Sequence, residues 1–446
     1  MALMTFIALL PGCVSAAPSH RPCSRYASPG GRNSARGTAR SPFRTVQRLL
    51  TALHPGQTGC LRSGTYYGDL TFPRGGRPDR FITLRSTPGE HAHVVGRMWI
   101  PKQANWVRVQ GLLLDGRNRD RFPSPTVDSH HDQFLENEVT NYHTAICFEL
   151  GDAGGVYGQA RHTLIERNRI HDCGVLPATN HDHGIYIANS VQARILNNWI
   201  YNNADRGIQL YPDAQRTTIA GNVIDHNGEG IIFSGDDGRV SNNNTIAGNS
   251  ITNSTIRADV ESYWPSSARG RGNLVTGNCV HGGRQTIDSQ GGGFTARSNV
   301  DIDPQYVNAA SGDYVIPPWN VCARLAIAAK DGQVRKSVIA HEVAALRPRH
   351  HHRSLWARAR VERRAHRAVR LVVTGGLTHA MRRSRVKIAV YGRIGRSWRK
   401  LAVFHRGPIR TFRLIFRLGK RSRRPKAVRV TMRVDGRRRS ATARVH

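Results

Sequence analysis

The chain has 446 residues, of which 39% are hydrophobic, and its 66 Lys and Arg against 30 Asp and Glu give a formal net charge of +36. Of this charge, +30 falls on residues 347–446, where 32 basic residues stand against 2 acidic ones, so the rest of the chain is nearly neutral. The length allows two or three domains. The composition excludes a membrane-spanning chain, because no apolar run is long enough to cross a bilayer.

The N-terminus resembles an export signal. Residues 1–10 form a short, mainly apolar run, and residues 14–16, Val-Ser-Ala, stand before Ala17 as in a signal-peptidase site. We therefore predict a signal peptide over residues 1–16 and a secreted or cell-wall-associated, extracellular protein. Residues 10–13, Leu-Pro-Gly-Cys, leave a lipid anchor open as an alternative.

Six cysteines follow the predicted cleavage site. An even number in an exported protein favours disulfide bonds, and we predict sequential pairing. Free buried thiols are the alternative, chiefly for the middle pair, and the absence of any Cys-x-x-Cys disfavours a zinc site. The predicted pairs are Cys23–Cys60, Cys147–Cys173 and Cys279–Cys322.

A helix is predicted just ahead of the main body. Residues 17–40 are rich in Ser, Gly and Arg and are predicted to be loose. Ser41 then serves as a helix N-cap, Pro42 occupies the first turn, and residues 55–56, Pro-Gly, end the helix. Such a helix is expected to cover the end of a solenoid, where strand edges are otherwise unpaired. Its apolar face consists of Phe43, Val46, Leu50 and Leu53.

The main body repeats the phrase Ile-x-x-Asn-x-Ile in close variants. The Asn recurs after 30, 24, 27 and 29 residues, and a second phrase beginning Gly-Ile recurs after 23 and 23. Two short alternating strands per repeat predict a stacked solenoid, in which each Asn bonds the next one about 4.8 Å along the axis. A β-sandwich is the alternative, but it would not place the same residue at every bend. The copies begin at Ile165, Ile195, Ile219, Ile246 and Val275.

The predicted fold class is therefore all-β. A right-handed parallel β-helix of about ten turns is predicted over residues 41–322. Residues 323–355 are predicted to be a linker with a short helical stretch. Residues 356–446 alternate apolar and polar side chains between Gly-containing turns, which predicts a small basic antiparallel β-sandwich with its Arg side chains on the outer face.

Both ends of the main body resemble known proteins. Residues 26–31, 41–47 and 60–66 resemble the start of secreted bacterial right-handed β-helix proteins of the pectate-lyase-like superfamily. Residues 303–308, with 313–314, resemble the end of those helices. The resemblance implies the fold. It leaves the activity open, because that superfamily includes lyases, hydrolases, epimerases and non-catalytic members.

The equal 23-residue spacing aligns three turns without gaps. His183, Arg206 and Glu229 then share one column, and Asp182 and Asp205 share the next. An acid and a base a few ångströms apart can cleave a glycosidic bond, and an Arg can neutralise a uronate before proton abstraction. We predict these five residues as catalytic candidates in a lateral groove, with passive binding or a solvated stripe of ion pairs as alternatives. The predicted substrate contacts are His181, Tyr186, Gln209, Tyr211 and Glu149.

The motifs of known enzymes in this superfamily exclude some of the possible activities. Pectin hydrolases of this fold carry Arg-Ile-Lys after Gly-His-Gly, and no Arg-Ile-Lys occurs here. A lyase with a Lys base would need Lys102, which lies outside the groove region, whereas a lyase based on Arg206 stays open. The resemblance also implies Ca²⁺ as a cofactor of such lyases, with oxygen ligands from aspartates. The predicted ligands are Asp205, Asp213, Asp236 and Asp237.

The sequence thus predicts an exported monomer that binds a polysaccharide, preferentially an acidic one. Cleavage stays open, and as an enzyme the protein would be a polysaccharide lyase or a glycoside hydrolase. The basic C-terminal domain is expected to tether it to an anionic cell-wall polymer, and no motif points to a specific nucleic acid. The alternatives are a non-catalytic envelope or carbohydrate-binding solenoid and, for the tail, incidental basicity.

Overall fold

The computed structural model describes residues 22–266, 268–329 and 335–346, together with seven strands between residues 355 and 444. The predicted signal peptide lies outside the described residues. The chain divides into two compact units, with the boundary between Ala344 and Ala345. None of the described helices is both long and apolar enough to cross a membrane.

The first unit is a coil of short strands arranged in three sheets of 11, 10 and 11 strands. In each turn the chain makes a strand of sheet I, bends, makes a strand of sheet II and then, after a loop, a strand of sheet III. Sheet I contains Arg25–Ala27, Thr58–Leu61, Ile82–Ser86, Val107–Gln110, Gln133–Leu135, Leu164–Glu166, Arg194–Leu196, Thr218–Ala220, Thr245–Ala247, Asn273–Thr276 and Phe294–Arg297.

Neighbouring strands of these sheets pair in parallel, apart from one short hairpin strand in sheet III. Sheet II contains Gly64–Tyr67, Ala92–Val95, Leu113–Asp115, Glu138–Thr140, Arg169–His171, Trp199–Tyr201, Val223–Asp225, Ser250–Thr252, Cys279–His281 and Val300–Asp301. Sheet III contains Leu70–Thr71, Met98–Ile100, Thr126–Val127, Phe148–Leu150, Ala160–Arg161, His183–Val191, Arg206–Gln215, Glu229–Asp236, Arg239–Val240 (the antiparallel strand), Ala258–Tyr263 and Gln285–Ile287.

Alternation fills the centre of the coil with aliphatic side chains. In sheet III, Ile185 and Ile187 are fully buried inside, and Tyr186 between them faces outward and is half-buried. In sheet I, Ile195 pairs with Ile219 on the next turn, and both are fully buried. Each such side chain contributes about 1.5–3 kcal/mol on burial, so stacked turns share a core that no single turn could form.

The predicted Asn ladder is present at the bend between sheets I and II. The Nδ2 of Asn198 donates to the Oδ1 of Asn222 at 3.0 Å, and the backbone N–H of Asn198 donates to the same oxygen at 2.9 Å. The same two bonds recur from turn to turn, so the polar atoms at each bend are satisfied inside the core. The ladder extends the predicted run by one Asn at each end. It consists of Asn137, Asn168, Asn198, Asn222, Asn249, Asn278 and Asn299.

The residue before each ladder Asn turns the backbone through the left-handed region. Gly221, Gly248 and Gly277 have φ angles of 66°, 63° and 66°, which glycine adopts without a steric penalty. Gly248 has a second reason to be glycine, because a Cβ there would lie 2.6 Å from the Cβ of Ala329. The short residue therefore lets the C-terminal helical segment pack directly on the bend.

Helix Val46–Ala52 covers the N-terminal end of the coil. Its Leu49 and Leu50 are buried in the same core as the first turns. The predicted start at Ser41 is wrong, because Thr45 is the N-cap and accepts a hydrogen bond from the backbone N–H of Arg48. Residues 41–43 are instead extended alongside the first strand.

Residues 22–40 differ from the loose segment that was predicted. Arg25–Ala27 is the first strand of sheet I and pairs in parallel with Thr58–Leu61. A disulfide between Cys23 and Cys60 holds it there. All three predicted pairings are confirmed, with S–S bonds in Cys23–Cys60, Cys147–Cys173 and Cys279–Cys322.

After the last strand the chain folds back along the coil through the short 3-10 helix Ala309–Ser311. Helices Val321–Ala328 and Lys336–Leu346 follow, and their Leu325 and Ile339 are buried. Residues 323–328 and 336–346 of the predicted linker are therefore helical, and most of them belong to the first unit.

The second unit is antiparallel, as predicted. One sheet contains its first, second and fifth strands, and the other contains the fourth, third, sixth and seventh in that order. Val390, Val428 and Val430 are fully buried. The strands are Leu355–Arg363, Val369–Leu377, Val386–Ile394, Ser397–Arg406, Thr411–Leu418, Ala427–Val434 and Arg437–Arg444.

Candidate functional site

The three residues of the predicted column are in register at the start of sheet III strands. His183 pairs with Arg206, and Arg206 pairs with Glu229. Each of them lies two residues before a buried isoleucine (Ile185, Ile208 or Ile231), so alternation puts it on the same side of the strand as that isoleucine. His183, Arg206 and Glu229 are accordingly only 3%, 5% and 0% exposed. The predicted column exists, but it is a buried part of the wall and does not line an open groove.

Charge pairing explains why these groups are buried. The Nε of Arg206 donates to Oε2 of Glu229 at 3.1 Å, and its Nη1 donates to Oδ2 of Asp205 at 3.3 Å. Arg257 donates to the same two carboxylates, at 3.0 Å in the case of Glu229. Two guanidinium groups thus balance two carboxylates, which is the condition for burying charges of this kind.

Burial dominates the titration of this cluster. It raises the pKa of Glu229, and the adjacent guanidinium groups of Arg206 and Arg257 oppose the rise and favour the charged carboxylate. It lowers the pKa of His183 well below the usual range, and the positive charge of Arg206 adds to this effect. His183 is therefore a neutral imidazole at physiological pH, buried beside an ion-pair cluster.

Asp182 and Arg206 hold a neighbouring loop in place through hydrogen bonds. Asp182, which is 6% exposed, accepts hydrogen bonds from the backbone N–H groups of Val175 and Thr179. Arg206 donates to the backbone carbonyl of Asn180 at 2.6 Å. The cluster therefore fixes the loop over residues 174–182, whereas His181 is exposed at its end.

The open surface lies on the outer face of sheet III. There Tyr186 and Tyr211 are half-buried, with ring centroids 6.3 Å apart and an interplanar angle of 19°. Glu149 pairs with Tyr186, and Tyr186 pairs with Gln209. This outer column runs through Trp99, Thr126, Glu149, Tyr186, Gln209 and Ile232. Four of the predicted substrate contacts therefore lie together on this face, and His181 does not pair in the column.

Carboxyl groups occupy the middle of this face. Asp128 is 2% exposed, and its Oδ2 accepts a hydrogen bond from the Nε1 of Trp99 at 2.7 Å. Burial raises the pKa of Glu149 to about 7, and the negative charges of Asp128 and Asp152 add to the rise. Glu149 is therefore protonated over part of the physiological pH range.

Two loops meet beside the aromatic pair. Asp152 accepts hydrogen bonds from the backbone N–H groups of Gly154, Val156 and Tyr157, which organise the loop after Phe148–Leu150. Arg239, from the hairpin after Glu229–Asp236, donates to the carbonyl of Ala153. This contact joins segments three turns apart, so it bounds the face on the side where the sheet III strands end.

The predicted calcium ligands do not converge. Asp236 accepts the hydroxyl of Tyr211 at 3.0 Å, and Asp213 accepts the side-chain amide of Gln215 at 2.6 Å. Asp205 is engaged by Arg206 and Arg257. Among the described residues, no group of three His, Cys, Asp or Glu side chains is placed to hold a metal ion. These residues do not fit a calcium site.

Two concavities lie away from this face. One of about 470 Å³ is lined by residues of sheets I and II, among them Arg85, His93 and Glu138. The other, of about 400 Å³, lies between the N-terminal helix and the first turns, beside Gln47 and Tyr66. Neither contains the predicted site residues or the carboxyl groups of sheet III.

Sequence reasoning missed Trp99, Asp128, Asp152 and Arg257. The first three lie on turns before the regular spacing begins. Arg257 follows Glu229 by more than the 23 residues that align the earlier turns, so a gapless alignment leaves it out. A weak signal existed for Asp128, because it follows the short strand Thr126–Val127 at an outward position.

Comparison with known proteins agrees with this architecture. The model of the family described as "Right handed beta helix region" matches residues 127–302. Uncharacterized protein YwoF of Bacillus subtilis (strain 168) is 25% identical over 238 residues, which is 50% of this chain and 46% of that protein. The chain therefore matches less than half the length of this curated relative.

Solved structures show further likeness. The complex of XylC with xylose has a TM-score of 0.49 and 13% identity, covering 62% of this chain and 68% of that one. Pectate lyase Pel9A has a TM-score of 0.42 and 14% identity, covering 64% and 83%. The family match and the three-sheet topology confirm the fold that the repeat predicted: the chain contains a right-handed parallel β-helix.

Proposed function

We propose that this is an exported polysaccharide-binding protein whose ligand lies along the outer face of sheet III. The observation that carries the proposal is the pair Tyr186 and Tyr211, whose rings are accessible and nearly parallel on that face. Aromatic faces pack against the apolar C–H surfaces of sugar rings, and nearby polar groups fix their hydroxyls. Glu149 and Gln209 supply such groups in the same column.

The predicted site residues take two different roles in this proposal. Glu149, Tyr186, Gln209 and Tyr211 contact the ligand. Asp182, His183, Asp205, Arg206 and Glu229 hold the wall and the adjoining loop, because they are buried and bonded to one another or to the backbone. His181 stays a candidate contact at the loop end, where it is exposed.

An acidic polysaccharide is the preferred ligand. Arg97 and Arg239 lie beside the face, close enough to Glu149 and Tyr186 to influence their titration. The +30 charge of residues 347–446 supports a tether to anionic cell-wall polymer. Three disulfides support export, because such bonds persist in oxidising compartments. We propose that the protein acts as a monomer.

Binding assays on the full-length protein test this function. Polygalacturonate serves as an acidic probe and xylan as a neutral one, in affinity electrophoresis and calorimetry. Tyr186→Ala and Tyr211→Ala should each weaken binding about tenfold, as expected when a buried aromatic contact of 1–2 kcal/mol is lost. Tyr67→Ala is the matched control, because Tyr67 is 80% exposed on sheet II. Equal binding by all three variants would remove sheet III from the proposal.

A further inference from the structure

Two carboxyl groups of sheet III share one small area of its outer face. Thr126 pairs with Glu149 on the next strand, and Asp128 follows Thr126 by two residues, so both acids project from the same side of the sheet. Asp128 is covered by the loop that ends at Gly158, which packs against it. Glu149 is half-buried and accessible. One acid is therefore held below the surface and the other lies at it.

Two buried polar atoms at this place have no partner in the described part of the chain. The Oδ1 of Asp128 accepts no hydrogen bond, although its Oδ2 is bonded to Trp99. The Nε of Arg97 donates none, and its guanidinium lies over the ring of Phe122 at 4.6 Å. Buried polar atoms are nearly always satisfied in native proteins. These covered atoms contribute to the polar, desolvated surroundings in which the accessible carboxyl of Glu149 lies.

The charged surroundings of Glu149 favour its protonated form. Asp128 and Asp152 contribute negative charge and Arg97 contributes positive charge, while Tyr186 is the neighbour on the next strand. Burial is the largest cause of the raised pKa of about 7, and the two aspartates reinforce it. Asp152 is held by three backbone N–H groups, which keep its charge close to this acid.

We propose that Glu149 is the proton donor of a glycoside-hydrolysing site on sheet III. The inference rests on the proposed binding of polysaccharide to this face. The Glu149 carboxyl gives its proton to the glycosidic oxygen, and the bond from that oxygen to the anomeric carbon breaks with the electron pair staying on the oxygen. Water then adds to the anomeric carbon through its oxygen. The proton that water releases returns to the Glu149 carboxylate, so one water is consumed and the acid is regenerated.

The flanking side chains suit this role. Trp99 lies in the same outer column two strands before Glu149, and Tyr186 lies on the strand after it. Aromatic surfaces on both sides position a sugar chain across the acid. Asp128 acts as a positioning residue that keeps Glu149 protonated. A passive binding surface would need the two aromatic groups but would not need an acid held in its neutral form beside unpaired buried atoms.

The test uses the full-length protein with polygalacturonate and xylan, and it measures new reducing ends. Glu149→Gln should lower kcat by about 100-fold or more, the range for loss of a general acid, while binding of the same polymer stays within about twofold. Glu166→Gln is the matched control, since Glu166 is also a half-buried glutamate but lies on sheet I, away from this face. The wild-type rate should fall as pH rises through about 7, the range in which Glu149 loses its proton. Asp128→Asn should move that fall to lower pH.

The outcomes separate this inference from the binding proposal. A wild-type protein that binds neither polymer contradicts both. Binding without any new reducing ends contradicts the catalytic role and leaves the binding role intact. Undiminished cleavage by Glu149→Gln, or unsaturated products in place of hydrolytic ones, overturns Glu149 as a hydrolytic acid. Circular dichroism of each variant shows whether a lost activity reflects misfolding, and the pH shift in Asp128→Asn gives a reading independent of the Glu149 substitution.

Discussion

Arg206 and Glu229 form an ion pair across neighbouring turns of the coil, with the Arg206 Nε 3.1 Å from the Glu229 Oε2. The side chains are 6% and 0% exposed. Arg257 bonds to the same carboxylate from the following turn. The pair therefore ties three successive turns together at the start of sheet III and also holds the loop over residues 174–182 through Asn180.

Removing Glu229 should strongly destabilise the coil. Glu229→Ala leaves Arg206 buried without one of its two carboxylates, and breaking a buried pair in this way costs about 3–5 kcal/mol. Glu166→Ala is the matched control, because Glu166 pairs with an Arg167 side chain that is 49% exposed, and a pair of that kind contributes about 0–1 kcal/mol. Urea unfolding followed by circular dichroism measures both. Equal losses would show that the cluster contributes no more than a surface pair.

Asp132 should make the stability depend on pH. Burial raises its pKa from the ordinary 3.8 to about 8. Between pH 3.8 and about 8, the native carboxyl keeps a proton that the unfolded chain releases. The free energy of unfolding should therefore fall as pH rises through this window, by about 1.4 kcal/mol per pH unit for this group. Urea unfolding at pH 5, 6, 7 and 8, chosen as roughly even steps through this window, measures the slope.

The Asp132→Asn variant should reduce that slope. The neutral amide can keep the hydrogen bond that Asp132 Oδ1 accepts from the backbone N–H of Val107, and the chain itself places Asn244 in the same bond to Thr217 four turns later. We expect the variant to be more stable than the wild type at pH 8. An unchanged slope would assign the pH dependence to other buried acids, of which Glu149 and Asp259 are candidates.

Substituting an Asn in the middle of the ladder should destabilise the coil more than substituting the last one. Asn222→Ala removes the acceptor for the backbone and side-chain donors of Asn198 and leaves them buried, so we expect a loss of about 3 kcal/mol. Asn299→Ala removes the same bonds at the last rung, where the side chain is half-buried and water can replace it. We expect about 1 kcal/mol there. Thermal or urea unfolding of both variants checks the ranking, which a reversed order would contradict.

The basic C-terminal unit should act through charge. Removing residues 350–446 should leave the β-helix folded, since the last described helix of the body ends at Leu346, and should abolish retention on a polyanionic resin or isolated cell wall. Retention of the full-length protein should fall steeply between low and moderate salt, because many Arg contacts release counterions. Equal wall retention by full-length and truncated protein at physiological salt would contradict the tether.

The repeat in the sequence was sufficient to predict the coil. A fixed Asn at each bend and alternating Ile residues are compatible with few folds. Each Asn must contact the equivalent Asn of the next turn, which lies about two dozen residues later in the chain. The inward or outward direction of Tyr186 follows from the same alternation. The disulfide pairing was also predicted correctly, whereas the helix start at Ser41 was not, because nothing local shows that residues 41–43 lie beside the first strand.

The tertiary structure decided which of the aligned residues meet solvent. Spacing placed His183, Arg206 and Glu229 in one column, but their burial depends on Arg257 and the Asn180 loop, which come from other turns with different lengths. In the same way, the raised pKa of Glu149 depends first on its burial and then on the nearby charges of Asp128 and Asp152. The repeat in the sequence determines which residues of neighbouring turns pair with each other along the axis of the coil. The desolvation and charge that decide chemistry come from irregular loops, and their packing is set only when the whole coil has formed.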